Sequence, residues 1–186
     1  MNKFSVGIIG GGPGGYVAAI RLNQYGIDTV VYEKERLGGV CLNTGCIPTK
    51  SLVKVAELYS EIKNSNSFGI NVEGSSLDFP AIMQRKDDIV NRLVSGVEFI
   101  FGKRKIPNIK QEVTNVEKFE GGYKLTTADD ECFVKYLILA TGSKTKEIPG
   151  FEFDSENILS STDILDFKEL PEHITVIGGG VIGCEF

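Results

Sequence analysis

Gly10-x-Gly12-x-x-Gly15 stands directly behind a short apolar run, Val6, Ile8 and Ile9, and directly ahead of a helix-compatible stretch. Few patterns restrict a chain more tightly. The first glycine makes a tight turn, the second lets the backbone approach a ligand closely, and the third lets helix pack on strand. The stretch FSVGIIGGGPGGYVAAIRLNQYGIDTVVYEK, Phe4 to Lys34, therefore predicts a buried strand, a glycine turn, a helix from Pro13 to about Tyr25, and a second strand over Thr29 to Tyr32. Val17, Ala18, Ile20 and Leu22 are expected to face the sheet, with Gly26 ending the helix. This is one βαβ unit of a parallel sheet. A diphosphate suits the N-terminus of such a helix. Glu33, 18 residues beyond Gly15, stands at the end of the second strand, where a carboxylate can accept from ribose hydroxyls. The pattern points to a dinucleotide and does not choose between FAD and NAD.

The same signature returns as Gly178-x-Gly180-x-x-Gly183 inside HITVIGGGVIGCEF, read as a strand running into a second glycine turn and the first residues of a helix. Two such turns imply two nucleotides, a flavin and a nicotinamide. The acid that would separate NAD from NADP lies past the last residue. An apolar strand with its covering helix barely begun reads as part of a longer protein.

Between the turns, helical spacing predicts a helix from Lys50 to about Lys63, with a broad apolar face of Leu52, Val53, Val55, Ala56, Leu58, Tyr59 and Ile62. A longer helix is expected from Phe79 to about Phe101, N-capped by Asp78 and buried through Ile82, Ile89, Val90, Leu93, Val94, Val97 and Ile100. KQEVTNVEKF, YKLTTA and CFVKYLILAT then read as three strands of a small antiparallel meander turning at EGG and DDE. The expected fold class is α/β: a Rossmann-like domain with a parallel sheet and a meander over 1–146, then a linker and the first strand and turn of a second dinucleotide domain over 147–186.

A hydrophobic fraction of 41% supports a real core, and the formal net charge of −5 disfavours nucleic acid as a partner. Lys103-Arg104-Lys105 is the one tight basic cluster, expected as a solvated helix end. The N-terminus has no secretory pattern, and no run reaches the roughly 18 apolar residues of a membrane helix. A cytoplasmic protein, or one in an organelle after import, is expected.

That compartment bears on GGVCLNTGCIPTK, residues 38 to 50, where Cys41 and Cys46 stand five apart. Structural disulfides are disfavoured in reducing surroundings, so a close pair points to redox or metal chemistry. Zinc needs further thiols or histidines. Cys132 sits alone on an expected strand, Cys184 lies in the second glycine turn, and His173 is the sole histidine. His173 reads as an ordinary turn residue. Cys132 and Cys184 read as small apolar side chains. So short a closed loop contributes little to stability. Gly45 frees the backbone to bring the sulfurs together, and Pro48 is expected to interrupt the incoming helix. A thiol–disulfide exchange pair remains.

GGVCLNTGCIPTK, together with the first glycine turn and Glu33, ILATGS at 138 to 143, and VIGGGVIGCE at 176 to 185, resembles the flavin-dependent pyridine nucleotide–disulfide oxidoreductases. CLNxGCIP followed by Thr49-Lys50 fits the branch that oxidises dihydrolipoamide better than the glutathione- or mercuric-reductase branches. The resemblance implies that Gly10, Gly12, Gly14 and Glu33 hold the ADP half of FAD, with Pro13, Gly15 and Lys34 beside them. It implies that Gly39, Val40, Cys41, Gly45, Cys46 and Lys50 line the flavin, and that Val113, Ala140, Thr141 and Gly142 complete the cofactor contacts. Gly178, Gly180 and Gly183 would serve NAD. The catalytic set would be Cys41, Cys46, Lys50 and Glu185. Cys41 would exchange with substrate sulfur, Cys46 would be the thiol next to the flavin, and Lys50 would pair with Glu185 near N5. Electrons would pass from the dithiol through the disulfide and FAD to NAD. The resemblance further implies a homodimer, lipoyl-bearing proteins of 2-oxo acid dehydrogenase complexes as partners, and an acid–base histidine outside these 186 residues. Without that histidine the chain by itself is expected to be inactive.

Overall fold

The computed structural model describes residues 2–186. In chain order the elements are β1 (Asn2–Ile9), α1 (Pro13–Gln24), β2 (Thr29–Tyr32), α2 (Gly39–Asn43), α3 (Cys46–Lys63), α4 (Phe79–Arg104), β3 (Asn108–Ile109), β4 (Asn115–Phe119), β5 (Gly122–Thr126), β6 (Glu131–Leu139) and α5 (Val181–Glu185). Short 3-10 turns lie at Ser65–Phe68 and Asp163–Asp166. The chain divides into two compact units. One holds the segment up to Asn43 together with Arg92–Lys144, and the other holds Thr44–Asn91 and Thr145–Phe186.

The first unit is built on a six-stranded sheet in the order β3-β2-β1-β6-β5-β4. β1 pairs in parallel with β2 on one side (Val6 opposite Thr29) and with β6 on the other (Phe4 opposite Val134). β6 then pairs antiparallel with β5, and β5 with β4. The meander is therefore an extension of the parallel sheet, joined through β6. Its pairing with β1 and the two-residue strand β3 were not read from the sequence. Neither has a local signal, since a strand's partner lies far along the chain and two residues show no period.

Burial follows the sheet. Ile8, Val30, Val31, Leu125 and Val134 are fully buried, and Val30, Tyr32, Leu125, Cys132 and Val134 form a core cluster. α1 presents Gly15 and Ala19 inward, one turn apart, while Val17 is exposed. This corrects the expected Val17 face: small residues let the helix axis come close to the strands. In α4 the buried stripe is Val90, Val94, Val97 and Phe101, while Leu93 and Ile100 are exposed.

In the second unit, Asp78 caps α4 as expected, its Oδ1 accepting from the Ala81 N–H at 3.0 Å. α3 begins at Cys46, so Pro48 lies within its first turn instead of interrupting it. The missing N–H costs nothing there, because first-turn N–H groups have no intrahelical acceptor. The residues α3 buries are Pro48, Thr49 and Ser51, not the broad aliphatic face; Leu58 is exposed. Lys86 is buried, with Nζ donating to the Leu165 carbonyl at 2.5 Å and lying 3.0 Å from Asp87 Oδ1. The expected strand over HITVIG is absent. Residues 173–179 carry no regular secondary structure and no ladder partner among the described residues, and a strand exists only as a member of a ladder. The glycine turn and the start of α5 do form.

Candidate functional site: a glycine cradle and a cysteine-bearing loop

β1 has parallel neighbours on both sides, β2, which follows it through α1, and β6, which the chain reaches only after β3, β4 and β5, so the strand order reverses at β1. Ligands bind in the crevice outside the carboxyl ends of strands at such a switch point. Gly10 takes φ +105°, and its N–H donates to the Tyr32 carbonyl at 2.8 Å. A Cβ on Gly10 would run into the Ala140 carbonyl, and one on Gly15 into the Gly10 carbonyl. These two glycines are closed by the fold itself. Gly12 and Gly14 differ. A Cβ on either would meet only ordinary contacts, Gly39 Cα at 3.7 Å and Ala140 Cβ at 3.6 Å. Their outer side is open to a ligand.

Gly12 is the N-cap of α1 and Pro13 its first residue; no side chain caps the helix and its first turn carries no acid. An uncapped, un-neutralised helix start suits a diphosphate. Glu33 borders the cradle. Its Oε2 accepts from the Gly11 N–H at 2.7 Å and its Oε1 from the Glu35 N–H at 2.9 Å. Each oxygen keeps capacity for a further donor such as a ribose hydroxyl. The cradle thus fits the dinucleotide that its sequence implies.

The loop after β2 closes on this cradle. The Gly38 N–H donates to the Gly11 carbonyl at 2.8 Å, and Gly39 lies so close to Gly12 that a Cβ on it would come within 2.7 Å of Gly12 Cα. Gly38 and Gly39 both take left-handed φ, +105° and +56°, which a side chain would strain. Gly39 then opens α2, so Val40, exposed, and Cys41, half-buried, ride on a helix anchored to the glycine turn. Gly11 and Gly38 were not singled out from the sequence, although the Gly-Gly pair at 38–39 was its visible signal.

Elsewhere in the first unit, Lys34 pairs with Glu112 at 3.1 Å, and this partner raises its pKa. Val113 packs beside the core cluster. The Ala140 N–H donates to the Ile9 carbonyl at 2.8 Å, and Thr141 and Gly142 are exposed just beyond β6. Burial pushes the Cys132 thiol up and, with Cys132 beside it, pushes the Tyr32 hydroxyl above its ordinary range. Cys132 is a core side chain, as expected.

In the second unit Gly45 N-caps α3, the exposed Cys46 is its first residue, and Lys50 follows one turn later on the same face. Lys50 Nζ lies 3.1 Å from Glu185 Oε1. Both side chains are substantially exposed, so the pair adds little stability. Gly178 repeats the left-handed φ of Gly10 at +116°, Gly180 N-caps α5, and a Cβ on Gly183 would run into the Gly178 carbonyl. One expectation needs correction: Cys184 is exposed, not buried, with Sγ 3.5 Å from the Gly179 carbonyl. Cys41 and Cys46 stand as thiols, the reduced member of the exchange couple expected of them. No cluster of potential metal ligands occurs among the described residues.

A family model for pyridine nucleotide-disulphide oxidoreductases matches residues 4–186. The chain belongs to this family. The family's oxidoreductases include a dihydrolipoyl dehydrogenase of Bacillus subtilis, 40% identical over 196 residues, and one of Chlamydia trachomatis, 42% identical over 190 residues. All of this chain is matched, but it covers 41% and 40% of those proteins, so it spans about two fifths of their length. Among solved structures, the Cu(II) complex of the HOCl-induced flavoprotein disulfide reductase RclA from Escherichia coli, as a cysteine mutant, superposes with TM-score 0.78 at 28% identity, covering 100% of this chain and 39% of that one. LpdA from Mycobacterium tuberculosis shares the fold with TM-score 0.78 at 22% identity, over 93% of this chain and 39% of its own.

Proposed function

We propose that this chain supplies the FAD-binding and redox-cysteine portion of a dihydrolipoamide dehydrogenase, which oxidises dihydrolipoamide with NAD as the final acceptor. One observation carries the reading: the helix bearing Cys41 is seated, through Gly38 and Gly39, on the glycine turn that would hold the dinucleotide. The relatives named dihydrolipoyl dehydrogenase at 40% and 42% identity support the substrate class.

In this reading Gly10 to Gly15 and Glu33 receive the ADP half of FAD, and Ala140, Thr141 and Gly142 border it. Gly178, Gly180 and Gly183 receive NAD. FAD, when bound, supplies the two-electron relay between the dithiol and the nicotinamide. The chain's own part is sulfur exchange. A substrate thiolate attacks Sγ of Cys41 in the oxidised pair; the new S–S bond forms as the Cys41–Cys46 bond breaks, and Cys46 leaves as thiolate. The second substrate sulfur then displaces Cys41, releasing oxidised lipoamide. Two electrons have reached the cysteine pair, and the two substrate protons have gone to Cys41 and to a base. Cys46 heads α3 and shares a face with Lys50, an arrangement that suits an anionic sulfur. Glu185 keeps the Lys50 ammonium in place. Lipoyl-bearing proteins as partners, a homodimer and a cytoplasmic location belong to the same proposal. They rest on the resemblance read from the sequence. No helix among the described residues is long and apolar enough to cross a membrane.

The test loads the full-length protein with FAD and follows flavin absorbance on adding dihydrolipoamide or glutathione. Dihydrolipoamide is expected to reduce the flavin, Cys41→Ser to abolish the reaction, and Lys50→Met to slow it by at least ~10-fold, as for loss of a positioned catalytic charge. Reduction by glutathione with no response to dihydrolipoamide would overturn the substrate, and full reduction in Cys41→Ser would overturn the sulfur route.

A further inference from the structure

Between the two cysteines stands Asn43, the last residue of α2. Its Nδ2 donates to the Leu37 carbonyl at 3.1 Å and to the Gly39 carbonyl at 3.0 Å. Only the amide nitrogen can donate to two carbonyls, so these partners also fix the amide's orientation. The side chain reaches back across the whole of α2, which spans five residues.

A helix this short does not hold itself together, because one turn fixes several dihedrals for very few hydrogen bonds. Here it also follows two glycines in left-handed conformation, the residues with the most conformational freedom to lose. The Leu37 carbonyl lies before those glycines and the Gly39 carbonyl at the helix start. Tying both to one side chain closes the segment into a ring. The ring meets the nucleotide cradle at Gly38, whose N–H donates to the Gly11 carbonyl. Cys41 lies within it, half-buried, between the two tethered ends.

We propose that Asn43 is a positioning residue for Cys41: its two amide hydrogen bonds hold the cysteine loop on the glycine cradle and set how readily the Cys41 sulfur is presented. Asn43 touches neither substrate nor cofactor in this account. The inference deepens the sulfur-exchange reading and rests on it for its role in turnover, but its physical content, control of Cys41 exposure, can be read without turnover.

Asn43→Asp keeps the shape and removes both donors, placing a carboxylate against two carbonyls. Asn43→Ser keeps one donor. The chain is reduced, and alkylation by iodoacetamide at Cys41 and at Cys46 is timed separately by peptide mass spectrometry. The expected result is Cys41 labelling faster by about tenfold in Asn43→Asp, the order expected for loss of roughly one to two net hydrogen bonds. Asn43→Ser is expected to fall in between, and Cys46 to stay within about twofold. Equal acceleration of both cysteines, or no acceleration in either variant, would overturn the proposal, since global loosening or an idle side chain would then explain the data. If Asn43→Asp does not fold, Asn43→Ser against wild type decides by the same criterion. Failure of the oxidised wild-type chain to form the Cys41–Cys46 bond would count against the exchange reading and leave the Asn43 result standing.

Discussion

The two glycine turns of this chain have nearly the same local geometry and very different surroundings. Gly10 and Gly178 take φ +105° and +116°; Gly12 and Gly180 cap their helices at φ −73° and −76°. Gly15 and Gly183 each press against the carbonyl of the first glycine of their turn. Yet β1 enters the first turn with a parallel neighbour on each side. The second turn is entered by a segment without ladder partners among the described residues, whose Ile174, Val176 and Ile177 are about half exposed. The turn is thus a local property of glycine spacing, whereas the strand before it is a collective property of a sheet.

Breaking each turn at its third glycine separates these contributions most sharply. Gly15→Val drives a side chain into backbone that β1, β6 and α1 hold in place. It is expected to lower the unfolding free energy in urea by roughly 3–5 kcal/mol. Gly183→Val makes the same local clash where little opposes relaxation, and is expected to cost under about 1 kcal/mol. Comparable losses would mean that the second turn is as firmly supported as the first.

The strands give the next contrast. Ile8 is fully buried and Ile177 is 56% exposed. Ile8→Ala is expected to cost about 2–5 kcal/mol and Ile177→Ala no more than about 0.5 kcal/mol in the same titration.

Acid supplies the gentlest probe. The first unit is held by ladders of neutral backbone groups. The second unit's connecting segment is held partly by carboxylates: Asp154 Oδ1 accepts from the Glu156, Asn157 and Ile158 N–H groups, which depress its pKa to about 2. A depressed folded pKa means stabilisation present in full above the unfolded value of about 3.9 and lost as pH falls through about 2. Amide resonances of residues 156–158 are therefore expected to stay put at pH 4 and move near pH 2, while β1 amides do not respond. Movement already complete by pH 4 would remove Asp154 from this role.

What the sequence disclosed follows the same division. α1, β2, the Asp78 cap and the three meander strands were legible, because capping residues, turn residues and periodicity act over a few positions. The β1–β6 pairing was not, since nothing near Phe4 names Val134 as its neighbour. The inward face of α1 was misread because hydrophobicity points to Val17 while close packing prefers Gly15 and Ala19. At the site, the turn geometry at Gly10, Gly12 and Gly15 was legible in their spacing, while the roles of Glu33 and the cysteine pair belong to the proposal. Asn43 was not legible: an asparagine between two redox cysteines looks like any loop polar residue until its two carbonyl partners are seen.

The pairing of β1 with β6 also imposes a timetable on synthesis. Asn2 is opposite Cys132, so one flank of the first strand made is covered only after some 130 further residues have been added. At roughly 5–20 residues per second, that is on the order of ten seconds on the ribosome. During that interval Val6 and Ile8 have β2 beside them and open backbone on the other edge, a surface that invites strand addition by a stranger. Until β6 emerges, that open edge is the surface a holding chaperone would cover.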